Sequence, residues 1–434
     1  MDKMADVLGR AGAWCGQNKY LSAIKNAFQN FMPLTIAGAI GVLWCNVLVN
    51  DQTGLGLFFK PIMALDFLNP AFQAVNFCTI SCITVGITLG IAQEIGIWNM
   101  GAERAGYIPG LVGLAAWLSV TNTSHMVEGA KEAFTGIAGN ELGATGLFTG
   151  MIIGVLSVEL FCFFEKQDAL KIKMPEQVPP GVARAFEVLV PATITLIITA
   201  CIGSACYNLT GLYLNDVIKN GIQGPLGAVG ATVPGVMIIY LVIMLFWLVG
   251  IHGNNMLSAV KEALFTPLAL ENVEAFNKGE TPKNIINMYF LQMCGEFGGS
   301  GVTIGLVIAI MIFGKREDNK AIASLSLVPG LFNINETVTF GIPMVLNPIL
   351  GIPFVVAPLV TIIIGYVLTV IGFCPVACLT VPWTTPPLVF GFLATGANIM
   401  GAVTQAILIV VSTVIYTPFL IAYEKYQNKQ AAEA

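Results

Sequence analysis

The chain has 434 residues, of which 56% are hydrophobic and only 10% are charged. Soluble globular proteins carry about 25% charged residues, so this composition excludes a soluble protein and indicates a polytopic membrane protein. The net charge of −5 is small, which argues against nucleic acid as a partner. The ten cysteines are scattered and form no Cys/His cluster, so we expect no metal site, and no motif indicates a cofactor.

The first half of the sequence predicts five regular membrane-spanning helices. Their apolar segments lie at 28–50, 75–93, 106–120, 144–164 and 186–207. All but the short third segment match a hydrocarbon core of about 30 Å. Basic residues precede the first span and cluster again in the loop 165–185. An excess of Lys and Arg marks the cytoplasmic side, so the N-terminus and this loop are predicted to be cytoplasmic.

The second half begins with an apolar run, Val233 to Ile251, that leads into a polar segment. Four candidate site residues lie at this transition: Trp247, His252, Asn254 and Asn255. A histidine that only caps a helix end is the structural alternative for His252. Residues 256–283 have mixed charge, which predicts an amphipathic connecting helix rather than another span.

Residues 284–314 contain Glu296 and the glycine-rich sequence Gly298-Gly-Ser-Gly301, and basic residues flank them on both sides. Two arrangements fit this pattern. If both ends are cytoplasmic, the segment enters the membrane and returns, because each half is about 23 Å long as a helix and too short to cross twice. The alternative is a single tilted span with Lys315 outside.

The remaining apolar segments predict a span at 354–372 and a last span at 397–422, separated by the break Pro382-Trp-Thr-Thr-Pro-Pro387. Lys425 and Lys429 follow the last span, so the C-terminus is predicted to be cytoplasmic. We therefore expect two functional halves. Residues 1–210 form a transmembrane scaffold, and residues 211–434 form a substrate-binding half with broken helices.

The stretch from Gly330 to Pro348 is the strongest binding-site signal in the second half. Asn333, Asn335 and Glu336 lie among apolar residues and prolines that interrupt helical hydrogen bonding. Broken backbone at membrane depth is tolerated where it is buried in protein or lines a wet cavity. An exposed loop between two spans is the alternative, but the polar run is short and contains no Lys or Arg.

These side chains suit a polyhydroxylated ligand. A charged group at membrane depth costs about 2.5–3.5 kcal/mol, so Glu336, Glu296 and His252 require partners. Carboxylate, amide and imidazole groups hydrogen-bond to sugar hydroxyls, while the indoles of Trp247 and Trp383 can cover the apolar face of a pyranose. Location in an interfacial aromatic belt is the alternative for either tryptophan.

Three of these segments resemble the permease component, enzyme IIC, of the bacterial phosphoenolpyruvate-dependent sugar phosphotransferase system. They are the segment from Trp247 to Asn255 with its Gly-Ile-His-Gly core, the sequence Asn333-Ile-Asn-Glu-Thr-Val-Thr-Phe-Gly-Ile-Pro343, and the break at 382–387. The resemblance is to the lactose/cellobiose/chitobiose branch and extends over essentially the full chain. The Asn-Glu sequence is its specific part.

The resemblance implies an all-α polytopic membrane protein with about ten transmembrane helices, two re-entrant hairpins and amphipathic connecting helices. It implies a homodimer in the bacterial cytoplasmic (inner) membrane, with the dimer contact in the first five spans. The implied activity is uptake of a β-linked disaccharide, whose C6 hydroxyl is presented to a phosphocysteine on a separate IIB protein. Glu336 and His252 would lie nearest this hydroxyl, and Trp383 would stack on the sugar.

Two other functions remain open from the residues alone. A secondary sugar transporter coupled to an ion also uses broken helices and a midplane carboxylate. A membrane-embedded hydrolase or transferase would use Glu336 and Glu296 as an acid/base pair.

Overall fold

The computed structural model describes residues 10, 14, 17–51, 55–125, 134–175, 177–342 and 344–433. Pro343 of the Asn-Glu sequence therefore lies outside the described residues. The structure is 77% helical with almost no sheet, which confirms the all-α prediction. The described residues form two compact units. The first unit comprises residues 17–37 and 77–227, and the second comprises residues 38–76 and 228–433. The functional boundary at residue 210 stays a prediction.

The first unit consists of long helices joined by short elements. Its helices are α1 (Lys19–Leu43, which continues into the second unit), α3 (Ile83–Met100), α4 (Ala102–Ala105), α5 (Ile108–Val120), α6 (Gly139–Leu142), α7 (Ala144–Glu165), α8 (Pro180–Thr210), α9 (Leu214–Ile218) and α10 (Gly224–Gly230, which also continues into the second unit). Its two short strands, β1 (Ser124–His125) and β2 (Phe134–Thr135), pair antiparallel. Its π- and 3₁₀-helical segments are Phe77–Ser81, Asp168–Leu170 and Lys219–Gln223.

The second unit has more helices, and many of them are short. They are α2 (Asn69–Asn76), α11 (Val233–Leu248), α12 (Gly253–Met256), α13 (Ser258–Asn277), α14 (Met288–Gly295), α15 (Ile304–Phe313), α16 (Glu317–Leu331), α17 (Glu336–Gly341), α18 (Gly351–Val370), α19 (Val389–Ala394) and α20 (Ile399–Glu433). Its π- and 3₁₀-helical segments are Trp44–Leu48, Leu55–Leu57, Lys60–Leu68 and Ser300–Val302.

Five helices in the described part of the chain are long and apolar enough to cross a bilayer, or seven if each of two bent helix pairs counts as one span. Two further apolar helices, α5 and α11, are shorter. This count agrees with a polytopic protein, while the figure of about ten spans stays a prediction. The predicted connecting helix at 256–283 corresponds to α13, whose central part is largely buried, including Phe265 and Ala269.

Helices α14 and α15 together form a segment that runs alongside α20 and parallel to it. The Gln405 amide donates to the Met293 carbonyl at 3.2 Å, the Tyr416 hydroxyl donates to the Gly301 carbonyl at 2.8 Å, and the Glu424 carboxylate accepts from the Lys315 backbone N–H at 2.8 Å. In these three contacts the residue numbers increase in both partners, so the segment runs parallel to α20 and does not turn back. Residues 284–315 therefore form one broken crossing and not a hairpin. Lys315 therefore lies beside the C-terminal part of α20.

Residues 317–341 form a first hairpin. Its arm α16 starts beside the end of α20, where the Asn319 amide donates to Glu424 at 3.2 Å. The chain turns at 332–335, and α17 returns so that Gly341 lies against Ile322. The longer arm has 15 residues, about 23 Å, which is less than the hydrocarbon thickness.

Residues 374–398 form a second hairpin. The backbone N–H groups of Cys378 and Leu379 both donate to the Ala394 carbonyl, at 2.7 and 3.1 Å, and hold its two arms together at the base. The Gln405 side chain accepts from the backbone N–H groups of Leu388 and Gly391 and fixes the returning arm to α20. The turn of this hairpin contains Trp383 and Thr385.

Candidate functional site

The turns of the two hairpins meet through one side chain, Asn333. Its amide donates to the carbonyls of Trp383 at 2.5 Å and Thr385 at 3.2 Å, and its carbonyl oxygen accepts from the Gly298 backbone N–H at 2.6 Å. Both ends of this side chain are therefore occupied by backbone groups. Asn333 also has a positive φ of 62°, a conformation that Asn tolerates better than most residues.

Asn335 makes a similar contact with the glycine-rich break. Its amide donates to the Ser300 carbonyl at 2.7 Å, and the residue is only 4% exposed. Gly299 has a φ of +89°, and a Cβ there would lie 2.6 Å from the Asn335 side chain. The breaks at 296–303, 332–335 and 382–388 are thus joined by two asparagines, which satisfy backbone groups that helices would otherwise pair.

Glu336 is the first residue of α17, and its carboxylate faces His252 across the site. The distance from Glu336 Oε1 to His252 Nε2 is 3.8 Å, and both side chains are partly open, at 49% and 38% exposure. His252 caps α12, where its Nδ1 accepts from the Asn255 backbone N–H at 3.2 Å. A neutral ring with this bond carries its hydrogen on Nε2, on the side of Glu336.

Behind this pair lies Trp247. Its ring contacts that of His252 with centroids 4.4 Å apart and meets Phe354 edge-on at 6.3 Å. Only 2% of Trp247 is exposed, so its indole has no open face for a ligand and instead packs against the imidazole. This corrects the expectation of an open stacking surface there. Trp383, by contrast, is 43% exposed at the turn of the second hairpin.

Glu296 belongs to a buried ion pair. Its carboxylate contacts the ammonium of Lys261 on α13 and accepts from the Tyr240 hydroxyl at 2.8 Å. The Lys261 side chain is only 7% exposed and that of Glu296 17%. Sequence reasoning missed Lys261 because residues 256–283 were interpreted only as a mixed-charge amphipathic helix. The available signal was spacing, since Lys261 lies four residues before Phe265 and eight before Ala269, which are both buried.

Several buried polar atoms on these same elements have no hydrogen-bond partner among the described residues. They are Trp247 Nε1, Asn254 Oδ1, Gln292 Oε1 and Thr339 Oγ1. Gln292 lies one helical turn before Glu296 and was also missed by the sequence analysis. Buried polar groups are normally paired with protein or water, so each of these atoms is available to a water molecule or a ligand. Asn255, by contrast, is exposed.

The arrangement can hold a hydroxyl group. The 3.8 Å separation of His252 Nε2 and Glu336 Oε1 is too long for a direct hydrogen bond. A hydroxyl oxygen beside both groups would accept from the imidazole N–H and donate to the carboxylate. In the described part of the chain, no group of three His, Cys, Asp or Glu side chains is placed to hold a metal ion.

Known proteins are similar to this chain in both sequence and fold. The family model described as "Phosphotransferase system, EIIC" matches residues 25–358. The oligo-beta-mannoside-specific EIIC component of Bacillus subtilis (strain 168) is 33% identical over 98% of this chain and 94% of its own length. The cellobiose-specific EIIC component of Lactococcus lactis subsp. lactis (strain IL1403) is 30% identical over 98% of each.

A fused relative and a solved structure agree with these matches. The lactose-specific EIICB component of Streptococcus mutans serotype c is 32% identical over 96% of this chain and 71% of its own length. The crystal structure of the transporter ChbC, the IIC component of an N,N'-diacetylchitobiose-specific phosphotransferase system, superimposes with a TM-score of 0.88 at 30% identity over 97% of each chain. The chain therefore belongs to the EIIC family of phosphotransferase-system sugar permeases, which are integral membrane proteins.

Proposed function

We propose that this permease takes up a β-linked disaccharide of the cellobiose, diacetylchitobiose or lactose type and presents its C6 hydroxyl to a phosphocysteine on a separate IIB protein. The observation that carries the proposal is the facing pair His252 and Glu336 at the meeting point of the hairpin turns. The names of the relatives support the sugar class, since they specify cellobiose, oligo-β-mannosides and lactose. The EIICB relative combines the IIC and IIB components in one chain, which supports a IIB partner here.

The geometry suggests a division of labour between the two side chains. The Nε2–H of His252 donates to the hydroxyl oxygen and orients it. Glu336 accepts the hydroxyl proton as the oxygen attacks the phosphorus atom and the bond from phosphorus to the cysteine sulfur of IIB breaks. Phosphoryl transfer has a loose transition state, so positioning contributes more than strong basicity.

Other residues would bind or position the sugar. The exposed indole of Trp383 is the stacking surface that we propose for a pyranose ring, and Asn254, Asn255 and Glu296 provide polar groups around it. Trp247 acts through His252, whose ring it contacts. Asn333 and Asn335 act through the backbone that they hold. We further propose that the protein is a homodimer, that residues 1–210 form the dimerisation scaffold, and that both termini are cytoplasmic.

Release of the product would be favoured by charge. Phosphorylation adds nearly two negative charges at neutral pH, and Glu336 becomes a carboxylate beside the new phosphate again once it has passed the accepted proton to water. The resulting repulsion would drive the phosphorylated sugar out of the site. Because the neutral sugar is not repelled in this way, the same carboxylate can serve binding before transfer and release after it.

Reconstituted transport tests the proposal. Purified protein in liposomes is expected to accumulate labelled cellobiose or diacetylchitobiose as the phosphosugar only when phosphorylated IIB is enclosed. Ionophores that collapse ion gradients should leave this uptake unchanged. Uptake of unmodified sugar that ionophores abolish would instead identify an ion-coupled transporter. Cleaved sugar would identify a hydrolase.

A further inference from the structure

The outer surface of the second unit contains a long apolar groove between α15 and α20. It has a volume of about 710 Å³. Its lining residues share apolar surface, and they are Ile308, Ile312, Phe313, Ile409, Val410, Thr413, Val414, Thr417, Pro418 and Ile421. The two threonine hydroxyls donate to the carbonyls of Ile409 and Thr413, at 2.9 and 2.7 Å. They therefore use their donors within the helix, and the groove offers a ligand almost no polar contact.

The length of the groove matches one leaflet of a bilayer. The α20 residues that line it extend from Ile409 to Ile421, a distance of about 18 Å along the helix. Half of the hydrocarbon core is about 15 Å. Several lining side chains remain strongly exposed in the protein alone, including Ile312 at 64% and Val414 at 65%. An extended acyl chain lying along the groove would cover them.

One end of the groove carries positive charge. Lys315 follows the lining residue Phe313 by two positions, and Lys425 lies one helical turn beyond Ile421 on the same face of α20. The bond from the Lys315 N–H to Glu424 brings these two lysines to the same end. Both side chains are exposed, and no ion pair involves either of them among the described residues.

Two neighbouring basic residues are paired with carboxylates. Arg316 pairs with Asp318 at 2.6 Å, and Lys320 pairs with Glu317 at 3.1 Å. Glu424 is 5% exposed and accepts from backbone N–H groups and the Asn319 amide. The charges at the mouth of the groove that no opposite side-chain charge pairs are those of Lys315, Lys425 and Glu424, which sum to +1, so a polar group that binds there should be negative.

We propose that this groove is a binding site for an anionic phospholipid, with one acyl chain along α15 and α20 and the phosphate between Lys315 and Lys425. The positive charge at the end of the groove favours an anionic headgroup, and the apolar lining favours an acyl chain. Sequence charge predicts that this end of α20 is cytoplasmic, which would place the lipid in the inner leaflet. Because α15 continues into the first hairpin, bound lipid would support the elements that carry Glu336.

The test uses native mass spectrometry of the purified full chain in detergent, titrated with phosphatidylglycerol or with phosphatidylcholine of the same acyl chains. We expect phosphatidylglycerol to bind at least tenfold more tightly. The double variant Lys315→Gln/Lys425→Gln should lose this preference, by about tenfold or more. The matched control Lys60→Gln/Lys278→Gln removes two exposed lysines of the same unit that do not border the groove, and it should retain the preference.

A second pair of variants tests the groove itself. Val414→Trp fills the groove and should reduce binding of both lipids, while Ile238→Trp, at another exposed apolar position of the unit, should not. Equal binding of the two lipids, an unchanged preference in the lysine double variant, or equal losses in both lysine variants would overturn the proposal. Val414→Trp that leaves lipid binding intact but changes the oligomeric mass would show that a second copy occupies the groove.

Discussion

Both units are rich in apolar residues, but they differ in how the backbone is arranged for a membrane. In the first unit, long helices pack closely: Gly113 lies against Ala92, and Gly154 lies against the Thr88 backbone. Its charges gather near helix ends, where Glu165 pairs with Arg104 at 2.8 Å and with Arg184 at 3.0 Å. In the described part of the second unit, the chain is broken at 296–303, 332–335 and 382–388, and the side chains of Asn333 and Asn335 pair backbone groups at these breaks.

The comparison shows what a broken backbone requires inside a membrane. A continuous helix pairs its own N–H and C=O groups, and buried hydroxyls of the first unit, such as those of Ser157, Thr195 and Thr199, donate to carbonyls of their own helix. Each break in the second unit leaves such groups unpaired, and Asn333 and Asn335 pair several of them. The polar groups that remain, chiefly Glu336 and His252, are then free to bind a substrate.

The largest expected effect is on chemistry in the second unit. Glu336→Gln keeps the size of the side chain but removes the proton acceptor, so we expect the rate of phosphosugar formation to fall about 10²–10⁴-fold. Sugar affinity should change much less. The measurement is single-turnover phosphoryl transfer from phosphorylated IIB, with binding measured separately by calorimetry.

The control lies in the first unit. Glu141→Gln alters a buried carboxylate outside the candidate site, and the transfer rate should be unaffected. A Glu336→Gln protein that transfers phosphate at the normal rate would contradict the assigned role and weaken the functional contrast between the units.

The next effect concerns the buried ion pair of the second unit. Lys261→Met leaves the Glu296 carboxylate without its partner, and breaking a buried pair in this way costs about 3–5 kcal/mol. We expect a lower thermal midpoint in detergent. The double variant Lys261→Met/Glu296→Gln removes both charges and keeps an acceptor for Tyr240, so it should recover most of the loss.

The double variant also separates two roles for Glu296. If it regains stability and still binds sugar normally, the pair is structural and Glu296 does not contact the ligand. If it regains stability but loses sugar affinity, Glu296 is a binding residue. Equal midpoints for the single and double variants would contradict the stabilising role of the pair.

A smaller effect is expected at the contact between the hairpin turns. Asn333→Ala leaves the Gly298 N–H and two carbonyls unpaired, and each buried group left unpaired costs about 1–3 kcal/mol. Water can reach some of them, so we expect the unfolding free energy to fall by an amount near the lower end of this range. We expect a larger loss in sugar affinity. Asn208→Ala, at an exposed position of the first unit, should affect neither quantity. Normal sugar binding by Asn333→Ala would contradict the positioning role.

The smallest effect is expected for a surface ion pair of the first unit. The hydrogen bond and charge of Lys171 lower the pKa of Asp168. A lowered carboxyl pKa adds stability above the ordinary value of about 3.9, and this stability is lost as the pH falls through the lowered pKa. Because Asp168 is 81% exposed, Asp168→Asn should leave the thermal midpoint unchanged within error at pH 7. A shift of several degrees there, which disappears as the pH falls through the lowered pKa, would show that the pair matters.

The sequence alone determined the class of this protein and where to look for its site. Composition required an all-helical membrane protein, because only helices or closed barrels satisfy the backbone in lipid and the long apolar segments are of helical length. Of the five segments predicted in the first half, the last three lie close to α5, α7 and α8, since a continuous span depends mainly on local hydrophobicity, while 28–50 and 75–93 are displaced from α1 and α3 by up to nine residues. The polar breaks at His252, Glu336 and Trp383 were also recognisable from local hydrophobicity, because they interrupt apolar segments.

Only the tertiary structure decided which side chains face one another. It brought Glu336 to His252, turned Trp247 inward, and engaged Asn333 with backbone more than 30 residues away in both directions. It also paired Glu296 with Lys261 and showed 284–315 to be one broken crossing. Such contacts join distant segments, and the direction of a side chain at a break depends on the partner that satisfies it, which local sequence does not encode.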